Sequence, residues 1–203
     1  MMRRLWFQLA VMILSVYLIS LGGCTTTPPT NFYILTPLPS AESLGPATVA
    51  AGGPSIGIGP VTLPQYLDRP QIVTRASRAR LKLGEFDQWA APLKDIVASV
   101  LAENLSMLMS TDRIAVYPWP RSTTIDYQIT VDVTRFDGEM GGEVLLLARW
   151  SIVGKDGKEW VKKNSRFSQP AGAPNYESTV TVMSRALERL SRDIAAGFRI
   201  IRP

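Results

Sequence analysis

The hydrophobic pattern separates one long apolar run near the amino terminus from a region in which apolar and polar positions alternate. Residues 5–21 are apolar apart from three clearly polar side chains, with Arg3 and Arg4 before them and Cys24, the single cysteine, shortly after. A basic start, an apolar middle and small residues before a break are the parts of a secretory signal peptide. The run is slightly shorter than the about 20 residues that a transmembrane helix needs. The pattern therefore predicts a signal peptide at residues 1–23, with a transmembrane anchor and a secreted protein with a free Cys24 as alternatives.

The region after the apolar run contains short segments with the alternation or the β-branched content of strands. A Pro-, Gly- and Ala-rich loop is predicted at residues 39–54, and another loop at Asp137-Gly138 and residues 141–142. The last three strands, of which the final two are joined by a tight turn at residues 155–158, predict an antiparallel meander. The predicted strands are residues 31–38, 55–61, 71–75, 81–83, 114–117, 127–134, 144–153 and 159–167.

Two segments have the period of an amphipathic helix. Apolar residues recur from Leu93 to Met109 at offsets of three and four, and Pro92 suits the first turn. The second helix begins near Asn175, a residue type that caps helix amino termini, and carries an apolar stripe over residues 180–194. That stripe could form a coiled-coil seam, but two heptads favour packing on a sheet. The fold class predicted is α+β, a single domain with two helices packed on a mostly antiparallel β-sheet.

Composition narrows the possible functions. Lys and Arg total 22, of which Arg3 and Arg4 leave with the signal peptide, so the remainder carries 20 basic against 17 acidic side chains. That small, dispersed excess does not indicate a nucleic acid partner. The chain has no histidine, which removes the usual general base and the commonest metal ligand. We therefore predict that the protein is not an enzyme and that it holds no metal and no cofactor.

Several residues that could suggest a binding or catalytic site have simpler interpretations. Asp68-Arg69 and the Glu85/Asp87 pair are expected to form turns or local salt bridges. The basic residues 75, 78 and 80 could contact phosphates, but a solvated hairpin turn is favoured. Trp89, Trp119 and Trp160 could line an apolar or peptide-binding surface or belong to the core. Gly57-x-Gly59 is not a nucleotide loop, because prolines at positions 60 and 64 remove two of the backbone amides that such a loop needs.

The residues around the single cysteine, Leu21, Gly22, Gly23 and Cys24, resemble the lipobox of bacterial lipoproteins. The resemblance implies that a diacylglycerol is attached to the Cys24 thiol, that signal peptidase II cuts before Cys24, and that the new amino terminus is acylated in turn, as with palmitate. Residues 24–30 are then the lipidated cysteine and a Thr/Pro tether. Thr25 occupies the position at which an Asp retains enteric lipoproteins in the inner membrane. The resemblance therefore implies export to the outer membrane.

Longer motifs occur at residues 36–39, 57–64, 66–75, 85–93, 116–118 and 133–138. Together they resemble the PqiC (YmbA) family of ABC-type transport auxiliary lipoproteins, also described as membrane-integrity-associated transporter subunits. The resemblance extends over nearly the whole mature chain, so residues 31–203 are expected to form one PqiC-like domain.

The family resemblance implies a lipoprotein on the periplasmic face of the outer membrane that serves an MCE-type, PqiABC-like system for intermembrane phospholipid transport. Its implied partners are a periplasmic MCE-domain protein, the inner-membrane partner of that protein, and the membrane itself through the lipid anchor. A homo-oligomer would suit the end of a symmetric MCE tunnel. The alternative is a stand-alone lipoprotein that binds a small ligand or a cell-wall component, and a hydrolase is the weakest choice.

Overall fold

A computed structural model describes residues 2–4, 6–8, 10–12, 28–39 and 53–201, and the helical residues among the first twelve are exposed. The α+β class predicted from the sequence is confirmed. A 3-10 turn (Gln65–Leu67) follows the second strand. The strands are β1 (Asn31–Tyr33), β2 (Ile56–Thr62), β3 (Gln71–Arg75), β4 (Leu81–Trp89), β5 (Ile114–Val116), β6 (Tyr127–Gly138), β7 (Glu143–Gly154) and β8 (Glu159–Pro170), and the helices are α1 (Leu93–Met109) and α2 (Tyr176–Ile201).

The larger sheet has five strands in the order β5-β2-β6-β7-β8. The predicted meander is confirmed, because β6, β7 and β8 pair antiparallel along almost their whole length. β2 pairs in parallel with β5 on one side and with β6 on the other. The long segment between β2 and β5 carries α1, as a connection between two parallel strands requires.

The strands divide between two sheets, whereas the sequence pattern predicts one. The smaller sheet has the order β1-β4-β3, with β1 parallel and β3 antiparallel to β4. Only a single isolated bridge, between Arg75 and Glu139, joins the described residues of this sheet to β6 and its following turn. Side-chain contacts therefore have to connect the two sheets.

The two helices pack against each other and against the larger sheet, and the hydrophobic core lies between the helices and that sheet. Leu101 and Leu105 of α1 and Leu187 and Leu190 of α2 are fully buried. The predicted helix cap is confirmed, because the Asn175 side-chain oxygen accepts the backbone N–H of Ser178 at 2.8 Å. Both helices thus form where the apolar period and the flanking residues predict them.

Three strands end four or more residues away from the predicted boundary. The first strand ends at Tyr33 rather than at residue 38, because the N–H groups of Thr36 and Leu38 bond to helix side chains and Pro37 has none. β4 continues beyond residue 83 to Trp89 through an irregular pairing with β3. Asp137 and Gly138, predicted to lie in a loop, end β6 instead.

Candidate functional site

The predicted lipidation site lies outside the described residues. This holds for Cys24 and for the predicted cleavage residues Leu21, Gly22 and Gly23. The described chain resumes at Pro28, and residues 28–30 are exposed. The structure describes the place where residues 28–30 join the domain and the polar clusters inside the domain.

Residues 34–38, here called the crossing segment, bind across both helices directly after β1. Leu35 and Leu38 are 2% and 5% exposed. The backbone N–H of Thr36 donates to Ser184 Oγ of α2 at 3.0 Å, and the N–H of Leu38 donates to Asn104 Oδ1 of α1 at 2.7 Å. The chain is thus bonded to both helices within a few residues of β1.

Asn104 links the crossing segment to both helices. Its side chain is fully buried, and besides accepting from Leu38 it donates through Nδ2 to Ser191 Oγ at 3.1 Å. Ser191, also fully buried, donates to the carbonyl oxygen of Leu187 at 2.8 Å. A buried polar group without a partner costs about 1–3 kcal/mol. Because each of these groups has its partner, the network fixes where the crossing segment lies.

A second buried cluster surrounds Asp137, whose side chain is inaccessible to solvent. Arg75 donates through Nε to Oδ1 at 3.0 Å and through Nη2 to Oδ2 at 2.9 Å. Tyr66 donates its hydroxyl to Oδ2 at 2.7 Å, and Arg135 donates Nε to Oδ1 at 2.9 Å. We call these four residues the Asp137 cluster.

The hydrogen bonds of the cluster favour the ionised form of the Asp137 carboxyl group. Burial disfavours the charge, but the hydrogen bonds from Arg75, Tyr66 and Arg135 together outweigh burial and lower the pKa of Asp137. Burial and the bond to this carboxylate raise the pKa of Tyr66 to about 12. A general base needs an accessible carboxylate with a pKa near the working pH. Asp137 meets neither condition, so the cluster is structural.

The Asp137 cluster brings together two of the sequence motifs that carry the family resemblance, residues 66–75 and residues 133–138. Tyr66 lies on the 3-10 turn, Arg75 ends β3 of the smaller sheet, and Asp137 lies near the end of β6 of the larger sheet. The hydrogen bonds span 62 and 71 residues of sequence. The cluster is therefore a charged connection between the two sheets, and sequence reasoning did not identify it.

The glycines of Gly57-x-Gly59 make room for aromatic side chains. A Cβ at Gly57 would lie 2.8 Å from the Trp119 ring, and a Cβ at Gly59, whose φ is +120°, would lie 2.8 Å from Tyr117 Cβ. The Tyr117 and Trp119 rings pack edge to face with centroids 5.4 Å apart. The motif thus serves the packing of residues 117–119 on β2, in keeping with the rejection of a nucleotide loop.

Of the acidic candidates, Asp68 lies in a turn as predicted, whereas Asp87 forms hydrogen bonds to residues distant in sequence rather than a local salt bridge. Asp87 Oδ1 accepts from the Tyr33 hydroxyl at 2.9 Å and from Asn31 Nδ2 at 3.1 Å, which ties β1 to β4. Burial and this bond raise the pKa of Tyr33 to about 12. Asp68 lies in the exposed turn after the 3-10 helix, and Glu85 is exposed. Among the described residues, no group of three or more His, Cys, Asp or Glu could hold a metal ion.

The three tryptophans and the basic hairpin have different environments. Trp89 belongs to the core with 5% exposure, Trp119 is half-buried over Gly57, and Trp160 is 44% exposed beneath the Lys158 ammonium group. Residues 76–80 form the predicted turn, with the Ala76 N–H donating to the Arg80 carbonyl oxygen at 2.9 Å. The basic residue at position 75 is bound within the Asp137 cluster, so it does not belong to a solvated basic patch.

Solved structures share this architecture. A crystal structure of an uncharacterised protein superposes with a TM-score of 0.69 at 20% identity, over 84% of this chain and 99% of the other. Protein XCC0632 from Xanthomonas campestris superposes with a TM-score of 0.63 at 16% identity, over 85% and 95% of the two chains. These similarities establish the fold and nothing beyond it.

The sequence model of the ABC-type transport auxiliary lipoprotein component family matches residues 33–195. The chain belongs to this family, which is a family of transport auxiliary lipoproteins rather than of enzymes. It is 24% identical over 175 residues to the intermembrane transport lipoprotein PqiC of Escherichia coli (strain K12), covering 86% of this chain and 90% of that protein. The same identity and coverage hold for PqiC of Shigella flexneri. Within the described ranges, no helix is both long and apolar enough to cross a membrane.

Proposed function

We propose that the protein is the outer-membrane-anchored, periplasmic lipoprotein of an MCE-type, PqiABC-like intermembrane phospholipid transport system, in which it docks with the MCE tunnel and contributes to envelope integrity. The observation that carries the proposal is the family match, which spans residues 33–195 and so includes nearly every element of the domain. The similarity to PqiC, named as an intermembrane transport lipoprotein, supports the assignment to lipid traffic between membranes.

Anchoring is proposed to occur at Cys24, after removal of residues 1–23, with residues 24–30 as the tether. The exposure of residues 28–30 and the bonding of residues 34–38 to both helices support a tether that ends at β1. Cys24→Ala is expected to abolish labelling by radioactive palmitate and to leave the unprocessed precursor, whereas Thr25→Ala, a matched change in the tether, leaves both unaffected. A Cys24→Ala protein that is still labelled and cleaved would refute the anchor.

Docking is proposed to involve a periplasmic MCE-domain protein and, through it, the inner-membrane component. An oligomer of this chain would match a symmetric tunnel. The test is co-purification of the lipidated protein with the MCE protein when both are reconstituted on one lipid surface. Association supports the transport role, while failure to associate under these conditions contradicts it and favours a stand-alone lipoprotein that binds a small ligand or a cell-wall component. A neighbouring gene for an MCE-domain protein would add support.

A further inference from the structure

Two large apolar side chains project into solvent where the tether meets the domain. Phe32 is 66% exposed and Ile34 is 58% exposed. They alternate with Tyr33, which packs beside the Tyr176 ring, and with Leu35, which is buried. Since alternate residues of an extended chain point to opposite sides, Phe32 and Ile34 face away from the core together.

Other exposed apolar residues adjoin this pair. The backbone N–H of Ala90 donates to the carbonyl oxygen of Tyr33 at 2.9 Å, which places Ala90 beside Ile34. Ala90, Ala91 and Pro92 are all exposed. We call the surface formed by Phe32, Ile34, Ala90, Ala91 and Pro92 the β1 patch. The patch contains no charged residue. Asp68 and Arg69, which carry opposite charges, line a cleft next to it together with Ala91 and Pro92.

The length of the tether limits how far the β1 patch can lie from the lipid anchor. Cys24 and Phe32 are eight residues apart, a span of at most about 26–29 Å when fully extended. The polar layer of one leaflet is roughly 5–8 Å thick. Because the crossing segment is bonded to both helices, the chain leaves the domain at β1, and the surface around β1 is the part of the domain nearest to Cys24 along the chain.

We propose that the β1 patch lies against the phospholipid bilayer that holds the Cys24 lipids, with Phe32 and Ile34 inserted at the head-group boundary. The inference rests on the proposed lipidation of Cys24. Because the acyl chains already supply most of the membrane affinity, the role of the patch is to set the orientation of the domain on the bilayer. α2 starts beside β1 at Tyr176, and Ile200 lies about 36 Å further along its axis at 1.5 Å per residue. The distant end of the domain is thereby left free to meet a periplasmic partner.

The test uses the full chain, expressed and lipidated in bacteria and reconstituted in vesicles of phosphatidylethanolamine and phosphatidylglycerol. Because Cys24 carries the lipid, an introduced cysteine is the only free thiol for an environment-sensitive fluorophore. Phe32→Cys and Ile34→Cys report on the patch. Ile200→Cys is the matched control, because Ile200 is 67% exposed but lies at the opposite end of α2.

At positions 32 and 34, the expected results are a blue shift of the fluorophore's emission and quenching of that emission by brominated lipids. Neither change is expected at position 200. Because the patch is apolar, the quenching should persist at high salt. A water-like spectrum at positions 32 and 34 in vesicle-bound protein would overturn the proposal. Protection from aqueous iodide without quenching by the lipids would overturn it too and indicate a protein interface. Protein that lacks palmitate and does not float with vesicles would instead contradict the lipidation.

Discussion

The Asp137 cluster provides the sharpest test of how the two sheets are held together. Asp137→Asn preserves the size of the side chain and one acceptor oxygen, but it removes the negative charge that faces two guanidinium groups. Each carboxylate oxygen accepts two hydrogen bonds, Oδ1 from Arg75 and Arg135 and Oδ2 from Arg75 and Tyr66. The amide nitrogen would replace one of these oxygens, so two donors would lose their acceptor. The substitution therefore leaves buried positive charge without its counter-charge.

The magnitude follows from the burial of the partners. Removing one member of a buried ion pair costs about 3–5 kcal/mol. Arg75 is 16% exposed and Arg135 is 31% exposed, so water can solvate part of the charge that Asp137 leaves behind. We therefore expect a loss near the lower end of that range, about 3 kcal/mol in the free energy of unfolding. This is a large fraction of the 5–15 kcal/mol typical of a domain.

The assay is urea unfolding of the domain without residues 1–24, followed by the fluorescence of the buried Trp89 and Trp150. Asp132→Asn is the matched control, because Asp132 forms an exposed ion pair with Arg149. Exposed pairs contribute about 0–1 kcal/mol, so its midpoint should barely move. If Asp137→Asn unfolds at the same urea concentration as Asp132→Asn, the cluster does not connect the sheets as described.

Three further predictions concern the same domain. The folded state lowers the pKa of Asp137, so the unfolded chain takes up the proton first as pH falls. The contribution of Asp137 to the free energy of unfolding is therefore present above about pH 4 and is lost as pH falls through the folded pKa. The acid unfolding curve of Asp137→Asn should lack this contribution. Asn104→Ala should lower the free energy of unfolding by about 1–3 kcal/mol, because it leaves the Leu38 amide unpaired. It should also speed proteolysis of the crossing segment, whereas Glu103→Ala, a change at an exposed position, should have neither effect. Gly57→Val should lower the free energy of unfolding by about 1–3 kcal/mol, because the new side chain collides with Trp119. Adding Trp119→Leu should recover part of that loss. A Gly57→Val protein as stable as the wild type would contradict the close packing measured at that glycine.

Local signals predicted the elements whose sequence is self-consistent. α1 has the predicted bounds because its apolar period runs from Leu93 to Met109 without interruption. α2 begins after Asn175 because an Asn side chain can take up a free amide of the first turn. β3 and the final meander follow from β-type runs bounded by turn residues. In each case the information lies within a few residues of the element.

The features that were missed depend on distant partners. Asp137 precedes a glycine and looks like a turn, but Arg75, 62 positions earlier, compensates its burial at the end of a strand. The crossing segment looks like the continuation of β1, but its amides bond to Asn104 and Ser184, which are remote in sequence. One signal was available for the first case. Two of the motifs behind the family resemblance, residues 66–75 and residues 133–138, each contain polar or charged residues of the Asp137 cluster.

The central claim is that this transport auxiliary domain is held at a membrane through Cys24. The most direct measurement is mass spectrometry of the amino-terminal peptide of the mature protein purified from the bacterial envelope. The account predicts a peptide that begins at Cys24 and carries a diacylglycerol on the thiol and an acyl chain on the amino group. A mature amino terminus at another residue, or an unmodified Cys24 thiol, would contradict it.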